Sequence, residues 1–212
     1  MTDPRKCMYD KAGEKLVAAL KRRRFTAEYC ANAGEAKAAV LAQIPEGASV
    51  GWGGSATVDA LGVKEVLRAK GQPLFDRDAA PTREAQMEAM RGSQFADVFL
   101  MSSNAITEDG CLVNMDGMGN RLSALIYGPK KVVVVAGMNK VTADLESAIS
   151  RVRHYAAPMN AQRFPGVSPC RETGRCADCT SPDCICAQLV VTRLSKLEGR
   201  IHVILVGEDL GM

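Results

Sequence analysis

A chain of 212 residues, 47% hydrophobic and 24% charged, suffices for one globular domain with a substantial core and is too apolar for a disordered tail. Its net charge of +3 is too small to argue for a nucleic-acid partner, and no stretch of about 18 apolar residues is present to span a membrane. Residues 1–24 are charged throughout and lack the apolar segment of a secretory signal, so the expected location is the cytoplasm, with cysteines reduced or metal-bound.

In chain order, Ala12, Leu16, Ala19 and Leu20 fall at helical spacing and predict an amphipathic helix over residues 4–24. The run Lys21-Arg22-Arg23-Arg24 ends it, where cations complement the negative helix terminus. An extended piece over 25–30 leads to a helix that starts at Asn32 or Gly34 and reaches about residue 44. After the Pro45-Glu46-Gly47 turn, residues 48–52 read as a brief buried strand, followed by helix to Leu61 and again to Ala69. A short strand is predicted over 72–76, and Pro81 opens a helix to about residue 94. Residues 97–102 form an apolar run of strand length, and 105–114 fold around a Glu108-Asp109-Gly110 turn. A helix over 119–127 is stopped by Gly128-Pro129, and 132–136 has the composition of a strand covered on both faces. Leu145, Ile149 and Val152 predict a helix over 141–157, and 188–193 and 201–206 are the last strands. Strands alternating with helices indicate an α/β fold, a mainly parallel sheet with helices on both faces. The whole chain, 1–212, reads as one domain, with a cysteine-rich loop at 165–188 inside it.

Two segments carry candidate binding chemistry. Gly53-Gly54-Ser55-Ala56-Thr57 joins a strand to a helix: glycines let the backbone approach a ligand, helix-start amides attract anions, and Ser55 and Thr57 add hydroxyls. The spacing is neither a P-loop nor a dinucleotide fingerprint, and a tight turn without a ligand is the plainer alternative. The stretch 104–121 concentrates polar groups where a strand should end, the place at which parallel sheets gather ligands. Glu108 or Asp116 is the candidate proton acceptor; Asn104, Asn114, Asn120 and Arg121 would orient a polar substrate, and Lys140 or Arg121 would meet an anion. Turn and helix capping by the same Asx residues is the competing explanation. His154 reads as exposed and His202 as a structural strand residue; Cys111 reads as a small strand residue, and Met101, Met115, Met118 and Met138 as core packing.

Five of eight cysteines lie in one short segment, Cys170-x5-Cys176-x2-Cys179-x4-Cys184-x-Cys186, with Pro169, Gly174 and Pro182 marking a loop. Thiolates at such gaps can close around one soft inorganic centre. Structural zinc sites usually pair two C-x2-4-C knuckles, whereas only Cys176-x2-Cys179 is one here. The irregular, sulfur-rich run is closer to an iron–sulfur loop, of the 4Fe–4S type, with zinc the alternative and a metal-free or disulfide-linked loop the remainder. Spacing alone leaves open whether Cys184 or Cys186 is a ligand.

Taken together, the blocks ASVGWGGSATVDALG, SSNAITEDGCLVNMDGMGNRLSALIYGPKKVVVVAGMNK, PCRETGRCADCTSPDCICA and the closing VILVGEDLG resemble the LUD-domain family of lactate-utilisation-type proteins, in its single-domain, cysteine-bearing branch. The resemblance spans residues 8–212 and implies a fold like that of glucosamine-phosphate deaminase, ribose-5-phosphate isomerase and the CoA transferases. It implies that Gly53, Gly54, Ser55 and Thr57 lie where that superfamily binds a phosphate or similar group. Glu108-Asp109-Gly110 is similar to the deaminases' Asp-Gly-His turn, but Cys111 replaces the histidine, which argues against deamination. The branch's cysteine pattern carries over onto Cys170, Cys176, Cys179 and Cys186, with Cys184 the spare.

Three functions follow as expectations. The first is an iron–sulfur protein supporting the use of lactate or a related organic acid. The second is an isomerase- or transferase-type enzyme acting on a phosphorylated sugar or CoA-like ligand, its loop stapled by zinc. The third is a non-catalytic, redox-sensing accessory subunit. The expected partners are a small anionic metabolite, an oxidoreductase or iron–sulfur protein, and a second copy of the chain in a homo-oligomer.

Overall fold

Alternating apolar side chains build the centre of the molecule in a computed structural model that describes residues 3–212. The central sheet contains β1 (Thr26–Cys30), β2 (Val50–Trp52), β3 (Leu74–Phe75), β4 (Val98–Met101), β7 (Lys131–Gly137) and β10 (Ile201–Val206). Their order is β1-β10-β7-β4-β2-β3, and every pair is parallel. The two-residue period sorts each central strand between two cores. Val132, Val134 and Ala136 of β7, with Val203 and Leu205 of β10, face one side; Val133, Val135, Ile204 and Val206 face the other.

The second side is covered by α2 (Ala33–Ala42), α3 (Ala56–Ala60) and α4 (Val63–Ala69), through Ala36, Val40, Val58, Val63 and Leu67. The first side is covered by Leu16, Ala19 and Leu20 of α1 (Pro4–Arg22) and by Leu122 and Leu125 of α6 (Asn120–Ile126). The fold is therefore the expected α/β sandwich with helices on both faces.

A second sheet, which local patterning does not foretell, completes the first side. It orders β8 (Val141–Thr142), β5 (Ala105–Thr107), β6 (Leu112–Asp116) and β9 (Gln188–Thr192). β5 and β6 form an antiparallel hairpin whose Ile106 and Leu112 join the first core. Gly110 turns it at φ +93°, and a Cβ there would lie 3.0 Å from the α1 backbone at Ala19 and Leu20. The hairpin tip thus rests on α1, where Arg23 pairs with Asp109.

Three boundaries differ from the sequence-based expectation. Pro81 lies ahead of α5 (Arg83–Gly92) rather than in its first turn, because the Thr82 hydroxyl caps the helix by accepting from Ala85 N. The helix expected over 141–157 starts later, since Val141 pairs with Ile106 as strand; Asp144 then caps α7 (Leu145–Arg151). That helix continues through a π-turn, Val152–Ala156, into α8 (Ala157–Ala161), and its buried face carries Ala148 and Val152 rather than the exposed Leu145. Met118 is 54% exposed, not packed in the core, while Met101 and Met138 are buried as expected. Among the described residues no helix is long and apolar enough to cross a membrane.

Candidate functional site

Parallel strands deliver their carboxyl ends to one edge, and there a cavity of about 450 Å³ opens. Gly54, Ser55 and Thr57 follow β2, Arg77 follows β3, Ser102, Ser103 and Asn104 follow β4, and Lys140 follows β7. Met212 reaches the wall after β10, and Asp116 and Asn120 reach it from β6 and α6.

Arg121 organises the floor. Its Nε donates to Asp116 Oδ1 at 2.9 Å, its Nη1 to Ser102 O at 2.9 Å and to Asn114 Oδ1, and its Nη2 to Asn104 Oδ1 at 2.8 Å and Met115 O at 2.9 Å. Every guanidinium donor direction is thereby used within the protein. Asp116 is equally committed, since its Oδ2 also accepts from Arg121 N and Leu122 N at 3.0 Å. A Cβ at Gly53 would lie 3.0 Å from Arg121 Cγ and Cδ, so this glycine clears the path of the arginine. Gly53 thus supports the floor and is not itself among the residues lining the cavity.

Lys140 is the unusual cation. It is 4% exposed and donates to Thr57 Oγ1 at 2.8 Å and Ser102 Oγ at 2.9 Å. Burial pushes its ammonium down to about 7, and the charges of Arg151 and Arg121 act in the same direction. Arg77, Arg83 and Arg163 stand around the rest of the cavity. Asp78 accepts from Trp52 Nε1 at 2.8 Å and Lys64 Nζ at 2.6 Å, fixing the segment that carries Arg77. The buried Arg77 Nε has no hydrogen-bond partner in the protein. Four guanidiniums and the Lys140 amine therefore line the cavity against one carboxylate side chain, Asp116, which pairs with Arg121; Arg77 and Arg163 also lie 3.7 and 3.6 Å from Asp78 and Asp59. Such a surface attracts a small anion.

A second cavity, of about 240 Å³, is lined by all five loop cysteines, Cys170, Cys176, Cys179, Cys184 and Cys186. The loop hangs from polar ties, not from a core: Pro169–Thr173 forms a short helix, α9, without a buried residue. Asp183 accepts from Val167 N at 2.7 Å, Ala187 N donates to Asp116 O at 2.9 Å, and Asp178 pairs with Arg153. Burial, then the neighbouring Cys184, Cys170 and Cys176, push the Cys186 thiol up to about 12; burial and Cys179 raise Cys184. Thiols that suppress one another's ionisation form the donor set that a soft cation relieves, so the residues fit a thiolate-bound metal group. Among the described residues no three His, Cys, Asp or Glu side chains gather as a site for a single ion.

Of the sequence-derived candidates, Gly54, Ser55, Thr57, Asn104, Asp116, Asn120, Arg121 and Lys140 meet at the first cavity. Asn114 lies fully buried behind it, on Arg121. Glu108 does not join them: it is exposed at the hairpin tip, with its backbone N donating to Thr142 O. Asp116, held by three hydrogen bonds and the Arg121 ion pair, acts as a brace rather than as a free proton acceptor. Sequence reasoning missed Arg77, Arg83, Arg163 and Ser102. Only Arg77 and Ser102 carried a signal, each standing just past an apolar strand. His202 is structural, with its Nε2 2.7 Å from Glu28 Oε1, and Cys111 is a buried residue flanking β6.

The sequence matches the LUD domain family over residues 13–206. No curated protein matches it. Among solved structures, it is similar to a DUF162 family protein from Deinococcus radiodurans, with a TM-score of 0.52 at 15% identity, covering 95% of this chain and 98% of that one. Ribose 5-phosphate isomerase A from Neisseria gonorrhoeae gives a TM-score of 0.32 at 16% identity, covering 62% and 54%. The eIF2B-beta2-delta2 complex from C. thermophilum gives 0.38 at 17% identity, covering 82% and 54%.

Proposed function

Because the chain belongs to the LUD domain family, we propose that its cysteine loop carries an iron–sulfur cluster, of the 4Fe–4S type, beside a pocket for a small anionic metabolite. In this reading the protein serves the oxidation of lactate or a related organic acid. The observation that carries it is the wall the two cavities share. Met115 lines both, and Ile185, inside the cysteine run, lines the cationic one. A group held by the loop therefore lies against the compartment where an organic acid would bind.

Cys170, Cys176, Cys179 and Cys186 are the proposed ligands, with Cys184 the alternative. All four line one cavity together with Cys184, a sulfur-rich thiolate set of the kind that holds a polynuclear cluster. A bound cluster would supply one-electron transfer. The chain's own part is to hold and orient the acid: Arg77, Arg83 and Arg163 attract its anionic end, while Ser55, Thr57 and Ser102 offer hydroxyls. An oxidoreductase or iron–sulfur protein would exchange electrons at the exposed side of the loop.

Anaerobic purification followed by iron and acid-labile sulfide analysis and visible absorbance tests the proposal. Cys170→Ser and Cys186→Ser are expected to lose most of the iron, and Cys184→Ser to keep it. A colourless protein carrying stoichiometric zinc would overturn the cluster.

A further inference from the structure

We infer that the Lys140 amine is a nucleophile that condenses with the carbonyl of a small oxo acid held in the cationic cavity. This rests on the cavity being an anion site and is independent of what the cysteine loop binds.

The geometry around Nζ points that way. The side chain is 4% exposed, yet Lys140 lines the cavity together with its two partners, Thr57 and Ser102. A neutral amine has two N–H donors and one lone pair. The two hydroxyls at 2.8 and 2.9 Å take the two donors, which leaves the lone pair free for an electrophile. The charged groups acting on Lys140 are Arg121 from α6 and Arg151 from α7, both cationic, so no carboxylate holds the proton on. An ammonium there would be a buried like-charge neighbour of two guanidiniums, and the neutral form is correspondingly favoured near pH 7. The tail closes over the site: Gly211 packs so near that a Cβ would lie 3.0 Å from Nζ and 2.2 Å from Thr57 Oγ1. A desolvated lysine beside other cations is a recognised way to obtain a reactive amine at neutral pH.

The ligand class follows from the surroundings. Arg77, Arg83 and Arg163 would hold a carboxylate, and a carbonyl nearby would be presented to Nζ. The lone pair forms the C–N bond while the carbonyl π pair moves to oxygen, which takes a proton from the nitrogen. The resulting hydroxyl then leaves with a second nitrogen proton as water, and the C=N bond forms. One water is released and nothing is oxidised or reduced. The Thr57 and Ser102 hydroxyls are placed to pass these protons. An oxo acid is also the product class of 2-hydroxy-acid oxidation.

Competitive labelling of the intact protein with trace acetic anhydride across pH, followed by peptide mapping, reads this amine directly. At pH 7.5 the neutral fraction of Lys140 would exceed that of an ordinary lysine several hundredfold. Labelling at Lys140 should therefore outrun surface lysines by roughly tenfold or more and titrate near 7. Pyruvate or glyoxylate with cyanoborohydride should leave one reduced adduct on Lys140, absent from Lys140→Arg. The inference is overturned if Lys140 labels no faster than surface lysines, or if neither oxo acid is trapped there. Neither readout depends on iron, so failure here leaves the cluster standing, and loss of the cluster leaves this test intact.

Discussion

Replacing Arg121 with alanine separates the role expected from the sequence, anion ligand, from the one the structure shows, structural brace. The structure makes it a brace: the guanidinium is 10% exposed and meets Asp116, Ser102, Asn114, Asn104 and Met115, with no donor direction left for a ligand. Its loss strands Asp116, 8% exposed, without its cation. Breaking a buried pair from one side costs about 3–5 kcal/mol, most of it from the orphaned charge. For a chain of this size 1 kcal/mol moves Tm by about 2–4 °C, so Arg121→Ala should lower it by roughly 6–20 °C. Urea unfolding followed by circular dichroism should show the same loss, and Asp116→Ala in the Arg121→Ala background should recover part of it. A loss below about 1 kcal/mol accompanied by abolished anion binding would refute the brace and restore the role of ligand.

Three further outcomes follow from the same geometry. Lys140 has a folded-state pKa below its unfolded one, so the unfolded chain binds the extra proton and stability rises as pH climbs from about 7 toward 10.5. Lys140→Met should therefore stabilise the protein near pH 6–7, by no more than ~5 kcal/mol, with the gain fading by pH 10.5 in pH-dependent chemical unfolding. Gly117→Val should push the cysteine loop outward, because a Cβ at Gly117 would stand 3.1 Å from Ile185 Cα; iron retained on anaerobic purification is expected to fall while Tm changes little. Gly110→Ala should cost about 1–3 kcal/mol in thermal unfolding, since φ is +93° and the α1 backbone leaves no room for the new methyl group.

What was legible in the sequence is what is written locally. The valines of β7 and the apolar run of β4 announce buried parallel strands, and Asn32 announces the start of α2 by accepting from Glu35 N. The second sheet could not be read this way. β5 and β8 are three and two residues long, and β9 pairs with β6 from more than seventy positions away. Val141 falls inside the helix that Leu145, Ile149 and Val152 predict, but its partner is Ile106, and only tertiary pairing decides that. The site divides along the same line. The glycine loop and Lys140 stand at strand ends, where sequence order points to a ligand edge. Arg163 comes from beyond α8, and no local pattern brings it to that edge. Glu108 looked catalytic because it sits among polar neighbours in sequence, whereas the hairpin carries its tip away onto α1.

The strand β6 shows how a period of two builds two adjoining compartments from consecutive residues. Leu112 enters the core under the central sheet, Asn114 meets Arg121 behind the cationic cavity, and Asp116 braces the start of α6. Val113 and Met115 point the other way, into the cluster with Ala148 and Val152, and Met115 continues onto the cysteine cavity. Its partner strand repeats the division: Val190 packs on the first core, Val191 on the third, and Leu189 on the cysteines. A shift of one residue would exchange the two sets, placing Asn114 and Asp116 among apolar helix residues and Met115 on Arg121. The antiparallel pairing of Asn114 with Val190 and of Met115 with Leu189 therefore fixes which wall carries charge and which carries sulfur. Gly117, just beyond, lies against the cysteine loop, where a Cβ would stand 3.1 Å from Ile185 Cα. The cationic cavity and the thiol loop are thus two faces of one short strand, and their adjacency is set by its register.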